Sequence, residues 1–326
     1  MRSFIAGTGS YLPERILTNA DLVGMVDTSD EWITSRTGIR ERRIAAPDQA
    51  SSDLATEAAK SALKAAGIEA GDLDLIIVAT LTPDYMFPST AGLVQRNLKA
   101  TKAAAFDLEA ACTGFIYALT VGDQFIKTGK YGKILVIASE VLSRFIDYED
   151  RNTCVLFGDG AGAVVLVPSE DGDRGIVSTH LYNDGSMSDL LIAPAGGSRM
   201  PVNEEAIAKR LNTVKMRGNV VFRIAVEKLS ELVDEVLEVN GLKEEDINFL
   251  VPHQANLRII KATARKLKLP MERVIVTVDR HGNTSAASVP LALDEAVRSG
   301  RINPGDMVLL EAFGGGLTWG AALVSW

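Results

Sequence analysis

This 326-residue chain has only two cysteines and three histidines, so its candidates for thiol and imidazole chemistry are few. Cys112 stands in Glu109-Ala-Ala-Cys-Thr-Gly114 and opens an apolar run, Phe115 to Val121, that reads as a helix. A thiol at a helix start lies among unpaired backbone N–H groups at the positive end of the dipole, which favours the reactive thiolate. The small neighbours Ala110, Ala111, Thr113 and Gly114 let a substrate approach closely. His253, in Val251-Pro-His-Gln-Ala-Asn256, follows a buried apolar run. An imidazole beside a thiol can accept a proton or donate a hydrogen bond. Asn283, in His281-Gly-Asn-Thr-Ser285, is an amide that by itself reads as a turn residue. Gly314-Gly-Gly-Leu-Thr-Trp-Gly320 is a glycine turn. Such a turn either closes a hairpin or brings backbone N–H groups up to a reacting carbonyl. Together these groups could take an acyl group onto a thiol and stabilise an oxyanion.

The elements that position them alternate between helix and strand. Leu54, Ala58, Ala62 and Ala66 form a helical stripe after Ser51-Ser52-Asp53, and Gly67 stands where that helix should stop. Near-continuous apolar runs at Leu73–Ala79, Ile134–Ala138, Ala161–Val167, Phe249–Pro252, Val274–Val278, Met307–Leu310 and Ala321–Val324 predict strands buried on both faces. Interleaved with helices, they predict an α/β layered fold. Asp72–Thr80 and Glu245–His253 share one pattern: an acidic start, a buried strand, a polar exit. Each leads through a helix and a second strand to a small-residue turn, at Cys112 in one case and Asn283 in the other. Any two α/β segments share some of this likeness. Taken as a true repeat, it divides the chain into halves at 1–170 and 171–326, the first carrying the thiol, the second the imidazole and amide. Cys112, His253 and Asn283 then converge at strand-to-helix turns on one edge of related sheets, where ligands of α/β folds gather. The irregular stretch from Asp184 to Met200 reads as an excursion over the site.

Bulk properties narrow the setting. A net charge of −8 argues against a general appetite for nucleic acid, and 47% hydrophobic residues argue against disorder. Two cysteines are too few for a disulfide framework, which points to a reducing, cytoplasmic compartment. No apolar run is long enough to span a membrane.

The Cys112, His253 and Asn283 motifs and the Gly314–Gly320 turn together resemble the β-ketoacyl-acyl carrier protein synthase III family. So do Asp27-Thr-Ser-Asp-Glu-Trp-Ile-Thr-Ser-Arg-Thr-Gly-Ile-Arg-Glu-Arg-Arg43 and Phe157-Gly-Asp-Gly-Ala-Gly162. The resemblance covers essentially the whole chain. It implies a thiolase fold, two pseudo-symmetric α/β halves forming a layered αβαβα core, and a homodimer. It implies that an acyl group, acetyl or similarly short, passes from coenzyme A to Cys112. Malonyl-acyl carrier protein then loses carbon dioxide, and its enolate attacks the acyl-cysteine. His253 and Asn283 would donate to the thioester oxygen, and the N–H groups of Cys112 and Gly315 would hold the second oxyanion.

By the same resemblance, Trp32 and Arg151 would sandwich the adenine of coenzyme A, and Arg36 and Thr28 would meet the nucleotide end. Asn219 and Asn256 would flank the pantetheine arm. Phe87 would reach across the dimer to close the partner's acyl pocket. The segment Leu257 to Arg273 is basic on an acidic chain and reads as a helix with a charged face. Carrier proteins are acidic, so Gln254, Arg258, Lys261, Arg265 and Lys266, with Arg223, form the expected docking surface. Cys154, His180 and His281 match no catalytic position and read as structural. No metal and no cofactor is implied, since acyl-coenzyme A is a substrate. The neighbouring readings are a plant-type polyketide synthase, a synthase III relative making a secondary product, and a binding relative that has lost its chemistry; the last predicts a missing nucleophile, and Cys112 is present.

Overall fold

The computed structural model describes residues 2–170 and 172–326. The junction expected at 170–171 falls on Asp171, which lies outside the described residues, as does Met1.

Two sheets organise the chain. In the first, the strands run in the order Ser3–Tyr11, Gly160–Pro168, Ile134–Glu140, Leu75–Ala79, Ala104–Leu108. The first two pairings are antiparallel and the last two parallel. In the second, the order is Gly175–Asn183, Thr318–Ser325, Met307–Gly314, Phe249–Pro252. Here too two antiparallel pairings precede a parallel one. A parallel bridge from Leu250 to Val274 occupies the fifth place.

That fifth place departs from expectation. Val274–Val278 forms no strand, and Val278–His281 turns into a short helix. The reason lies in one side chain. Ile275 N–H still donates to Leu250 O at 2.9 Å, as a strand would. Beyond it the Gln254 amide takes over. Its Nε2 donates to Ile275 O at 3.0 Å, and its Oε1 accepts from Thr277 N–H at 2.8 Å and Val278 N–H at 3.0 Å. Buried backbone groups must be paired, and here a side chain replaces the strand partner.

Strand alternation sorts the core into layers. Leu75, Ile77, Val136 and Val164 face inward with Val308, Leu310 and Ala322 of the second sheet. Between the two sheets lie the helices Gly114–Lys127 and Ser288–Arg298, through Phe115, Ile116, Leu119, Val289 and Leu293. The opposite face of the first sheet, with Ile76, Val78 and Ile137, packs on Leu54, Ala58 and Ala62 of the helix Ser51–Ala66. The opposite face of the second, with Leu250, Leu309 and Leu323, packs on the helices Gly218–Asn240 and Leu257–Lys266. The result is the expected αβαβα stack, and Gly67 ends its helix in the left-handed region as anticipated.

The basic helix is shorter than the charge pattern suggested. It ends at Lys266, Lys268 takes a left-handed φ of 52°, and Pro270 follows. Lys268 is therefore off the helix.

Candidate active site

The Cys112 turn is built by close packing. Ala111 has a φ of 46°, and Ala111–Thr113 form one tight turn that feeds the helix Gly114–Lys127. A Cβ on Gly314 would stand 2.7 Å from Cys112 N, so the hairpin can lie against Cys112 only as glycine. Thr318 Oγ1 sits 3.0 Å from Ala110 O, 3.0 Å from Thr113 Oγ1 and 3.1 Å from Gly315 O, tying the glycine turn to the Cys112 turn. Thr318 lies inside the glycine motif, yet nothing in its spacing marked it as the clasp. A Cβ on Gly114 would come within 3.2 Å of Ala79 and 3.3 Å of Ala286, so this helix start is wedged between the two sheet systems.

Cys112 is 6% exposed, and burial pushes its thiol up to about 12, opposed chiefly by the Ser285 hydroxyl and reinforced by the carboxyls of Glu140 and Glu109. Burial thus opposes the thiolate that the helix start favours.

His253 follows the strand Phe249–Pro252, and its N–H donates to Glu311 O at 2.8 Å. Nδ1 lies 2.6 Å from Ser288 Oγ, which also accepts from Gln254 N–H at 3.2 Å. When the serine gives its proton to Nδ1, the ring proton stands on Nε2. Burial lowers the imidazole to about 3, so it is neutral at pH 7. In that tautomer the neutral His253 is a hydrogen-bond donor through Nε2.

Asn283 is held by its backbone. Its N–H donates to Leu156 O at 2.9 Å and its carbonyl accepts from Gly158 N–H at 3.0 Å. Its Oδ1 accepts from Ser285 N–H at 2.8 Å, which orients the side chain and leaves Nδ2 as a donor.

Cys112, His253, Asn283, Phe313 and Asn256 line one cavity. Cys112, Gly315, Glu109, Tyr117 and Ser285 line a second, so Cys112 stands where the two meet. Ser288, Thr318, Ser285 and Glu140 were not singled out from sequence; short polar side chains in apolar context carry no periodic signal.

The outer expectations divide. Trp32 lies on the helix Asp30–Thr37, with Arg151 Cζ 4.8 Å and Arg36 Cζ 5.0 Å from its ring centroid. Arg151 lies on the indole itself, so a base between them requires it to move. Thr28 is half-buried, with Oγ1 unpartnered. Asn256 caps the basic helix, accepting from Arg258 N–H at 2.8 Å and donating to Arg36 O at 3.0 Å. Asn219 is exposed at the start of the helix Gly218–Asn240, beside the cavity-lining Gly218. Phe87 is 87% exposed, next to exposed Tyr85 and Met86, and does not line the cavities at Cys112 in its own chain.

Gln254 cannot belong to a docking surface. It is fully buried, and its amide is spent on the backbone of Pro252, Ile275, Thr277 and Val278. Arg258, Lys261, Arg265 and Arg223 are exposed, and among the described residues no carboxylate pairs with them. Arg258 lies over Phe222, with Cζ 4.8 Å from its centroid. Lys266 pairs with Asp234 at 2.6 Å and Lys268 with Glu244 at 2.7 Å. Cys154, His180 and His281 line neither cavity at Cys112; His180 pairs with Glu235 at 2.7 Å. Among the described residues no cluster is arranged to hold a metal, and no helix is long and apolar enough to cross a membrane.

Comparison with known proteins gives one consistent result. Residues 106–185 match the family described as 3-oxoacyl-[acyl-carrier-protein (ACP)] synthase III, and residues 237–326 match its C-terminal counterpart. The β-ketoacyl-[acyl-carrier-protein] synthase III of Xanthomonas campestris pv. campestris is 59% identical over 322 residues, covering 99% of this chain and 98% of that relative. The crystal structure of 3-oxoacyl-[acyl-carrier-protein] synthase III from Aquifex aeolicus VF5 superposes with a TM-score of 0.92 at 51% identity, covering 99% of this chain and 100% of that one. The corresponding Thermus thermophilus structure gives a TM-score of 0.91 at 47% identity, covering 99% of each chain.

Proposed function

Because this chain belongs to the β-ketoacyl-acyl carrier protein synthase III family, we propose that Cys112, His253 and Asn283 carry out its condensation. The enzyme is an acyl-transferring condensing enzyme that initiates fatty acid synthesis. Cys112 takes an acetyl or similarly short acyl group from coenzyme A. The carbonyl oxygen rests against the N–H groups of Cys112 and Gly315. Coenzyme A leaves, and malonyl-acyl carrier protein enters the cavity shared with His253 and Asn283. Loss of carbon dioxide drives charge onto the thioester oxygen. His253 Nε2–H and Asn283 Nδ2–H donate to it, and the enolate carbon attacks the acyl-cysteine.

The observation that carries this reading is the preset polarity of the two donors. Ser288 Oγ engages His253 Nδ1 and leaves Nε2 free of that contact, and Ser285 N–H holds Asn283 Oδ1 and leaves Nδ2 free. Donors fixed before the reaction stabilise developing charge without reorganising. No step calls for a metal or an added cofactor.

Coenzyme A lies along Trp32, Arg36 and Arg151, with Thr28 at the nucleotide end and Asn219 and Asn256 along the arm. The carrier protein docks on Arg258, Lys261, Arg265 and Arg223, with Lys266 at the margin. The protein is a cytoplasmic homodimer in which Phe87 closes the partner's acyl pocket. Its halves divide at 170–171, a division supported by the shared pairing order of the two sheets.

Intact-protein mass spectrometry after incubation with a panel of acyl-coenzyme A thioesters tests the assignment. One acyl mass should map to Cys112 and should be absent as a thioester from Cys112→Ser. An acyl thioester on Cys154 would overturn it.

A further inference from the structure

Arg42 is a cation with no water to hold it. It lies on the strand Glu41–Ile44, is 0% exposed and is among the largest fully buried side chains. Burial lowers it to about 10, so it stays charged at pH 7. Among the described residues its donors go to neutral oxygens and to no carboxylate. Nη1 donates to Asn19 Oδ1 at 2.8 Å and to Leu17 O at 3.2 Å, and Nη2 donates to Val155 O at 2.6 Å. Burying a charge is costly even when its hydrogen bonds are met, so its presence needs a reason. Arg42 lines neither cavity at Cys112, and the chemistry there does not supply one.

The two prongs of the guanidinium lead to the two walls of the proposed nucleotide site. On one side stands Asn19, itself 2% exposed. Its Nδ2 donates to Asp30 Oδ1 at 2.8 Å and to Ile39 O at 2.8 Å. Asp30 opens the helix Asp30–Thr37, two residues before Trp32, and Ile39 lies just past its end, so Asn19 clamps that helix at both ends. On the other side, Val155 caps the short helix Arg151–Cys154, which Arg151 begins. Trp32 and Arg151 also touch directly, and Arg151 Nη1 donates to Asp27 O at 2.9 Å. Both of those contacts are made by the side chain that must move before a base can enter. The buried bridge is not.

The stem of Arg42 has a separate place. A Cβ on Gly158 or on Gly282 would stand 3.0 Å from the Arg42 Cβ, so the chain beside the Phe157–Asn283 bridge lies flush against it. Stem and prongs can be altered separately. Lysine keeps a stem and a charge, but one ammonium does not reproduce a planar fork.

We propose that Arg42 is a positioning residue for the nucleotide of coenzyme A: its guanidinium bridges the Trp32 helix to the Arg151 turn and sets the gap that the base enters. A gap held before the ligand arrives needs no ordering on binding, which favours affinity. The inference rests on the placement of coenzyme A proposed above.

The test compares two acyl donors, acetyl-coenzyme A and S-acetylpantetheine, which lacks the nucleotide. Acylation of Cys112 is followed by intact-protein mass spectrometry, and the ratio of the two values of kcat/KM reports what the nucleotide contributes. Arg42→Lys should cut that ratio by about tenfold, the scale of one lost hydrogen bond to a charged group. The loss should lie in the KM for acetyl-coenzyme A, and S-acetylpantetheine should be affected far less. Asp30→Ala, at an exposed position, breaks the far end of the same bridge and should lower the ratio in the same direction. It reads the bridge even if Arg42→Lys does not fold. Trp32→Ala removes one wall and calibrates a full loss. Equal slowing with both donors in Arg42→Lys would show that the residue supports the fold alone, and an unchanged ratio in the two bridge variants overturns the role as well. If Trp32→Ala lowers the ratio and the bridge variants do not, only the role of Arg42 falls. If Trp32→Ala leaves it at the wild-type value, the placement of the nucleotide falls, and the role of Arg42 with it.

Discussion

Ser288 shows how much a single hydroxyl can decide. Its removal leaves His253 Nδ1 without a donor and Gln254 N–H without its acceptor. The ring can then carry its proton on either nitrogen. Ser288→Ala should therefore slow carbon dioxide release from malonyl-acyl carrier protein by about tenfold, the size of a hydrogen-bond loss of ~1.4 kcal/mol. Acylation of Cys112 should fall much less, since no step of it uses Nε2. Equal losses in both half-reactions would show that Ser288 supports the fold and not the tautomer. Gly314→Ala should act the other way round. A Cβ 2.7 Å from Cys112 N must displace the nucleophile or the hairpin, so acylation should be nearly lost. Its stability cost, read from denaturant unfolding, should lie near the ~1–3 kcal/mol of an overpacked core.

Among the elements, the basic helix carries the sharpest contrast. Arg258→Glu should raise the apparent KM for malonyl-acyl carrier protein severalfold and leave acylation by coenzyme A thioesters nearly intact. The effect should shrink as salt is added, because exposed charge pairs are screened beyond ~10 Å at 0.1 M. Lys268→Glu should do little, since Lys268 lies past the helix end and is already paired with Glu244. Equal losses for both substrates in Arg258→Glu would remove the docking assignment. The helix itself was legible from its apolar stripe, but its end was not. Charge pattern ran on to Arg273, whereas the backbone left the helix at Lys266, two residues before a left-handed lysine. The central strands were legible because a short, unbroken apolar run between polar turns suits a strand covered on both faces. Val274–Val278 misled for the same reason: its side chains are as apolar as a strand's, but its backbone is paired by the Gln254 amide, which no hydrophobic pattern records. Cys112, His253 and Asn283 were singled out through motifs, and the structure brings them to one cavity, while the hydroxyls around them were visible only in the folded chain.

Across the whole molecule, buried titratable groups should give stability a pH signature. Glu140 and Glu311 are fully buried and raised from 4.5 to about 8 by desolvation. Their contribution is complete below the unfolded value and is lost as pH rises through the folded one. His253 is depressed from 6.5 to about 3 and His281 to about 4, both first by burial. Their contribution is present above the unfolded value and is lost as pH falls. Between pH 6.5 and 8 only the carboxyls act, so Tm should fall across that window. Both Glu311 oxygens lack a hydrogen-bond partner among the described residues, so Glu311→Gln is the clean control and should flatten the slope. An unchanged slope in that variant would mean Glu311 ionises freely in the fold.

The wedge of Gly114 between Ala79 and Ala286 also has a consequence in time. A ribosome makes the thiol early and the residues that enclose it late. Cys112 emerges long before Ser285 and well before the Gly314 hairpin that covers it. During that interval the thiol is not yet desolvated, and it reacts as any exposed cysteine does. Oxidants and electrophiles in the cell therefore meet a more reactive thiol during synthesis. A pulse of thiol reagent should mark newly made chains at Cys112 far more heavily than mature ones.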